Sequence, residues 1–197
     1  MVQVVSIVEG DGEVQALPVL LRRLNFWLTP ECSTTIHPPI RVHRDRFIRK
    51  AEEFTRILLL ASKKCLDDGW ILILLDADDD CPVQMANELL RRAREVIPHR
   101  SVSVVLANRE FEAWFLAAAR SLHGCRGFTW DVDRDALEGS ETVRNAKGRM
   151  AERMGGAGYH ETTDQPKFAH TFDLDMAVAN SRSFRKLCAD WTSGIQR

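Results

Sequence analysis

The run Ile71-Leu72-Ile73-Leu74-Leu75-Asp76-Ala77-Asp78-Asp79-Asp80 sets four carboxylates within five positions directly behind five branched apolar residues. Crowding that much negative charge raises self-repulsion, which a divalent cation relieves, and hard oxygen donors of this kind suit Mg2+ or Mn2+. The competing reading is an acidic surface turn ahead of a helix, because Pro82 stands where a first helical residue would. Two further acid groups bear on the choice. Glu9 and Glu13 lie in Glu9-Gly10-Asp11-Gly12-Glu13 behind an apolar run, and Glu110 and Glu112 follow another. Alone each is ambiguous, since a glutamate in a first helical turn commonly does no more than complement the helix dipole.

These groups act together only if the chain carries them to one place. Residues 2–8, 71–75 and 101–106 are near-continuous apolar runs, the pattern of strands buried on both faces. A further strand is expected at residues 34–36 or 40–42. Between the strands, Val14, Leu17, Leu20, Leu21 and Leu24 predict an amphipathic helix that starts late or kinks at Pro18. Phe47, Ala51, Phe54, Leu58, Ala61 and Cys65 predict one long helix ending near Asp67-Asp68-Gly69. Ala86, Leu89 or Leu90, Ala93 and Val96 mark another, opened by Pro82 and stopped by Pro98, while Phe111, Trp114, Phe115 and Ala118 make a fourth apolar stripe.

Such alternation predicts a three-layer α/β domain with a mainly parallel sheet flanked by helices. Residues 1–120 form this core, and residues 121–197 form a less regular C-terminal helical extension packed on the same domain. Within the extension, residues 121–170 read as a lid or a partner-ordered segment with one short helix at 142–154, followed by a final helix over 175–191. In a parallel sheet the strand ends leading into helices share one rim, where ligands bind. Two residues apart on extended backbone, Asp76 and Asp78 would share a face. With Glu9 opposite, they would hold one or two Mg2+ ions able to neutralise a phosphate, orient a water and stabilise a leaving oxygen.

Composition narrows the partners. Twenty-seven basic residues against 28 acidic ones leave a formal charge of −1, so nucleic-acid binding would rest on local patches. Arg41, Arg44, Arg46, Arg49 and Lys50 form one such patch, and Arg91, Arg92 and Arg94 a second, unless each is only a solvated helix face. The five cysteines are odd in number and scattered without a Cys-x-x-Cys pair, which argues against zinc and redox chemistry. No stretch is apolar for long enough to span a bilayer, and the start lacks the basic segment of a secretory signal, so a cytoplasmic protein is expected.

The fuller pattern resembles a known family. Val8-Glu9-Gly10-Asp11-Gly12-Glu13, Asp76-Ala77-Asp78-Asp79-Asp80-Cys81-Pro82 and Glu110-Phe111-Glu112-Ala113-Trp114 are similar to a small bacterial Toprim-like family of unknown function. The Glu9-Gly10 and Asp76-Ala77-Asp78 elements resemble the two signature motifs of Toprim domains, found in topoisomerases, primases and the overcoming-lysogeny-defect nucleases. The resemblance spans residues 1–120 and extends through Lys167 to the final helix. It implies Mg2+- or Mn2+-dependent phosphoryl transfer, with Glu9 as ligand or general acid/base and Asp76 and Asp78 as metal ligands. The nuclease branch uses further acids and a lysine. By position Glu13, Asp80, Glu110, Glu112 and Lys167 are the candidates, although Lys167 also reads as a plain surface lysine.

The same resemblance implies a setting in phage defence beside an ABC-type ATPase. That ATPase would be a separate subunit, since no Gly-Lys-Ser/Thr phosphate loop is present here. Strand passage by a topoisomerase needs an activated tyrosine, and the single tyrosine, Tyr159, sits in a glycine-rich stretch. A primase is disfavoured by the lack of a zinc-binding element. The expected activity is a metal-dependent nuclease, or a nuclease subunit, with DNA placed ahead of RNA and a homo-oligomer left open. The alternatives are a non-catalytic metal- or nucleotide-binding regulatory module and a phosphohydrolase of small esters.

Overall fold

The computed structural model describes residues 1–65, 69–131 and 141–196. Five strands, β1 (Val2–Val8), β2 (Thr34–Ile36), β3 (Ile40–Arg41), β4 (Trp70–Asp76) and β5 (Ser101–Ala107), pair entirely in parallel. Their order is β2-β1-β4-β5, with β3 pairing farther along β1. Both expected positions for the second strand are occupied. They are separate strands because Pro38 and Pro39 have no N–H to give to a ladder.

β4 is the centre of the sheet and buries all seven residues. Alternate side chains go to opposite faces. Val4, Leu72, Leu74 and Val105 meet α1 (Asp11–Leu28), while Val5, Ile7, Ile73, Leu75 and Leu106 meet α2 (Arg44–Arg49), α3 (Ala51–Lys64) and α4 (Pro82–Val96). The α1 face is completed by α5 (Ala113–Ala117), α6 (Ala146–Arg153), α7 (Glu161–Thr171), α8 (Leu174–Asn180) and α9 (Arg182–Ile195). The expected three-layer α/β architecture is therefore present. Among the described residues no helix is long and apolar enough to cross a membrane.

Several local expectations change. α1 runs unbroken through Pro18. An interior proline costs roughly 3 kcal/mol, less than several fully buried leucines contribute together at roughly 1.5–3 kcal/mol each. Leu17, Leu20, Leu21 and Leu24 are all buried along this helix. The single helix expected over 47–65 is two, α2 and α3, divided at Lys50, whose backbone is extended at φ −99 and ψ 109. The break lets the rings of Phe47 and Phe54 approach to 4.9 Å. Seven positions apart on one helix they would be offset by about 10 Å along the axis. α3 ends at Lys64, and the expected stop at Asp67-Asp68 lies outside the described residues.

The C-terminal region is more regular than its sequence suggests. The short helix expected at 142–154 is α6. α7 lies along α1, with Phe168 buried in the common core, so the described part of this region is built into the domain. Its threonines and Pro166 are poor helix formers, which hid it from a periodicity reading. The final helix is divided at Ser181, whose hydroxyl accepts from Phe184 N–H at 3.0 Å and so caps α9.

Close contact between α1 and α7 depends on Gly12. A Cβ there would lie 2.2 Å from Gln165 Oε1 and 2.9 Å from Glu161 Cβ. Gly12→Ala is expected to destabilise the fold by about 1–3 kcal/mol through overpacking. Denaturant unfolding measures it, with Gly156→Ala as control, since a Cβ at Gly156 meets nothing within 4 Å.

Candidate functional site

The C-terminal rim of the parallel sheet gathers the acid groups. Asp76 ends β4 and is 3% exposed. Its Oδ1 accepts from Phe111 N–H at 2.8 Å, which ties the turn after β5 to the end of β4. Burial, followed by repulsion from Glu13, Glu112 and Glu9, pushes its pKa well above the usual carboxylate value. Glu13, 4% exposed in the first turn of α1, accepts from Gly10 N–H. Burial foremost lifts its pKa to about 7, against the lowering effect of that hydrogen bond. Glu112 is fully buried, and burial lifts it to about 7 as well. One oxygen of Glu112 accepts from Tyr159 Oη–H at 2.9 Å and from Gln165 Nε2–H at 2.7 Å. The other, Oε2, has no hydrogen-bond partner.

A cation sits among these acids, and it is Lys147 rather than Lys167. Lys147, on the first turn of α6, lies 3.3 Å from Glu161. Burial would lower its pKa, but Glu112, Asp76 and Glu161 together raise it, so the ammonium stays charged. Lys167 is exposed on α7. It stands two residues from Gln165, about 200° around the helix and so away from Glu112. The sequence hid Lys147, because the helix expected over 142–154 puts it past the first turn and only the observed start at Ala146 sets it there. A lysine in a first helical turn opposes the dipole and calls for acidic company.

A second cation, Arg44, closes the outer half of the site. Only 17% of its side chain is exposed. Its guanidinium lies 2.8 Å from Asp80 Oδ2, 3.5 Å from Asp78 Oδ2 and 3.8 Å from Glu9 Oε2. It also donates to the Asp76 carbonyl at 3.1 Å and the Ala77 carbonyl at 3.4 Å. Glu9 connects the two halves, since burial and then the charge of Asp78 raise its pKa, and its own charge acts on Asp76 and Glu13. Glu9 Oε2 is buried and makes no hydrogen bond.

Two expected geometries are corrected. Asp78 does not continue the strand beside Asp76. Its φ is +50, a left-handed conformation that aspartate tolerates, so the chain turns and carries its carboxylate outward to Arg44. Glu110 is drawn elsewhere, its Oε2 accepting from Lys147 N–H at 2.9 Å and so capping α6. Of the expected residues, Glu9, Glu13, Asp76 and Glu112 form the inner cluster, Asp78 and Asp80 the outer rim, and Lys167 is in neither. The basic patches separate too. Arg91 pairs with Glu88 and Glu95, and Arg92 stacks 4.1 Å from the Phe54 ring, whereas Arg46, Arg49 and Lys50 stay exposed beside Arg44.

The donor chemistry fits a hard divalent cation: carboxylates from three strand ends, two of them with a buried, unpartnered oxygen. In this arrangement, however, no three His, Cys, Asp or Glu side chains among the described residues are disposed around a common point as ligands. Lys147 and Arg44 supply the positive charge instead. Glu9, Asp76 and Asp78 are the side chains that could hold such an ion.

Fold and rim define an α/β protein with a parallel sheet and a buried carboxylate cluster at the C-terminal edge of its strands. Residues 8–190 match the family described as a domain of unknown function, DUF4276, and the chain belongs to that family. No curated protein and no solved structure matches the chain.

Proposed function

We propose that this chain is a Mg2+-dependent phosphodiester hydrolase, a nuclease or the nuclease subunit of an anti-phage defence system, acting on DNA in preference to RNA. The observation that supports it is the convergence of Glu9, Glu13, Asp76 and Glu112 near Lys147, with buried carboxylate oxygens left unpartnered. A folded protein carries so costly a cluster where a site needs it. When bound, Mg2+ would neutralise phosphate charge and lower the pKa of a water. Lys147 would set its ammonium against a phosphate oxygen as negative charge develops there. Glu13 and Glu112, both with a pKa of about 7, have the proton affinity of a base that works at neutral pH. The Toprim-like motifs agree with this reading and bring with them the separate ABC-type ATPase as partner.

The test is incubation of the purified protein with nicked, linear and single-stranded DNA, and with RNA, in Mg2+ or Mn2+. Lys147→Met is expected to lower cleavage by about 10²–10³-fold, the cost of removing one charge-stabilising donor. Lys167→Met leaves it within twofold or so, since the cluster does not include it. Equal losses from the two variants would overturn the assignment. One observation favours a second reading, a regulatory module that binds a metal or nucleotide without cutting. Arg44 already gives Glu9, Asp78 and Asp80 a shared counter-ion, so the outer rim is partly neutralised without a metal. Metal uptake by calorimetry without turnover of any polynucleotide would select that reading.

A further inference from the structure

Arg44 has four carboxylates for partners, Glu9, Asp45, Asp78 and Asp80, yet it grows from the first turn of α2, where the helix dipole disfavours a positive charge. The same short helix exposes Arg46 and Arg49, and Lys50 follows it, while His43 precedes it at the surface. Arg49 leans on Asp45 at 3.8 Å, a weak exposed pair. One short segment thus carries exposed basic side chains and one largely buried guanidinium, and that guanidinium sits on the carboxylates a metal would need.

We propose that Arg44 is an exchangeable counter-ion. It holds Glu9, Asp78 and Asp80 when no divalent cation is present, and it turns to a backbone phosphate of the nucleic acid when a cation takes those carboxylates. This rests on the metal-dependent reading above and adds to it the identity of the group that must leave and the place it goes. The physical basis is competition for the same oxygens. Two cations cannot share Glu9 Oε2 and Asp78 Oδ2 at contact distance without mutual repulsion, and the ion carrying two charges gains more from them. Displaced, the guanidinium retains its planar fork of donors, which matches phosphate oxygens, and the exposed Arg46 and Arg49 of the same short helix add to the positive field that attracts a polyanion. An Arg44 with a purely structural role would give variants that weaken both ligands together. The exchange gives opposite signs.

Binding of Mn2+ alone, by calorimetry or electron paramagnetic resonance, is compared for the full-length wild type and Arg44→Met. Binding of a short fluorescein-labelled single-stranded oligonucleotide in Ca2+ is then compared by anisotropy. The expected result is Mn2+ affinity about tenfold higher in Arg44→Met, the size of one partly buried ion pair, and oligonucleotide affinity about tenfold lower. Arg44→Lys, which retains charge but not the fork, should fall between the two on both measurements. Circular dichroism confirms that each variant is folded, and Arg44→Lys carries the test if Arg44→Met is not. Unchanged or weaker Mn2+ binding in the folded variants, with measurable binding to wild type, overturns the exchange and leaves the metal reading standing. No Mn2+ binding to any of the proteins overturns both.

Discussion

Asp76→Asn is expected to abolish metal-dependent cleavage, by on the order of 10³-fold or more, and at the same time to raise the thermal midpoint. The loss follows from the place of Asp76 at the end of the central strand, among Glu9, Glu13 and Glu112. Asparagine is a weaker ligand for a hard cation and carries no charge to hold it. The gain follows from the same burial. At neutral pH the folded protein must either hold a buried charge beside three other acids or bind a proton the unfolded chain does not, and either lowers stability. Asparagine has neither cost, and its Oδ1 can still accept from Phe111 N–H, the 2.8 Å contact that joins the two strand ends.

A rise of roughly 2–4 °C, which corresponds to about 1 kcal/mol in a domain of this size, is the minimum expected. Differential scanning calorimetry at pH 8 without added metal measures it, beside the cleavage assay. A variant both inactive and less stable would mean that the carboxylate is structural. Opposite movement of activity and stability is the mark of a group retained for chemistry. Asp80→Asn makes a useful comparison, because its partner Arg44 is shared with Asp78 and Glu9 and its own side chain is half exposed.

The parts of this site that could be read from the sequence are those with a period or an abrupt change of polarity. β1 and β4 are short apolar runs leading into acids, with Glu110 and Glu112 a few residues past β5, and the rule that parallel strands share a rim predicts that Glu9, Asp76, Asp78, Glu110 and Glu112 converge, of which Glu9, Asp76 and Glu112 meet in the inner cluster. Tertiary choices were hidden. The left-handed turn at Asp78 leaves no trace in an Asp-x-Asp pattern, because aspartate accepts extended and left-handed backbone alike. α7 escaped notice because its threonines and Pro166 argue against a helix, while what secures it is burial of Phe168 and the close approach over Gly12. Lys147 and Arg44 were not legible, because the helices expected over 142–154 and 47–65 put neither in a first turn, where the structure has both. Which acids answer them depends on contacts more than 30 residues apart in sequence, from Arg44 to Asp78 and from Lys147 to Glu112.

The metal-free protein is expected to lose stability as pH rises from about 4.5 to about 7, and a saturating divalent cation is expected to cancel most of that loss. Glu112 has its pKa raised from 4.5 to about 7, with burial as the leading cause. Between these values the folded state binds more protons than the unfolded chain, so the stability gradient with pH is negative. The contribution is fully present below pH 4.5, declines through the window and is gone above about 7. A shift of this size corresponds to on the order of 3 kcal/mol for Glu112. Glu13 moves in the same direction over the same window, although its proximity to Glu9 and Asp76 makes the sum less than additive. Most proteins carry carboxylates that favour folding as pH rises, so a midpoint that falls between pH 5 and pH 7.5 would be distinctive. A divalent cation binds the ionised carboxylates of the folded state and scarcely those of the unfolded chain, so its stabilisation should grow with pH over the same interval. Midpoints measured at pH 5 and pH 7.5, in EDTA and in Mn2+, give the four values needed. A metal effect equal at both pH values would place the ion away from Glu9, Glu13, Asp76 and Glu112 and remove the cluster from the proposed chemistry.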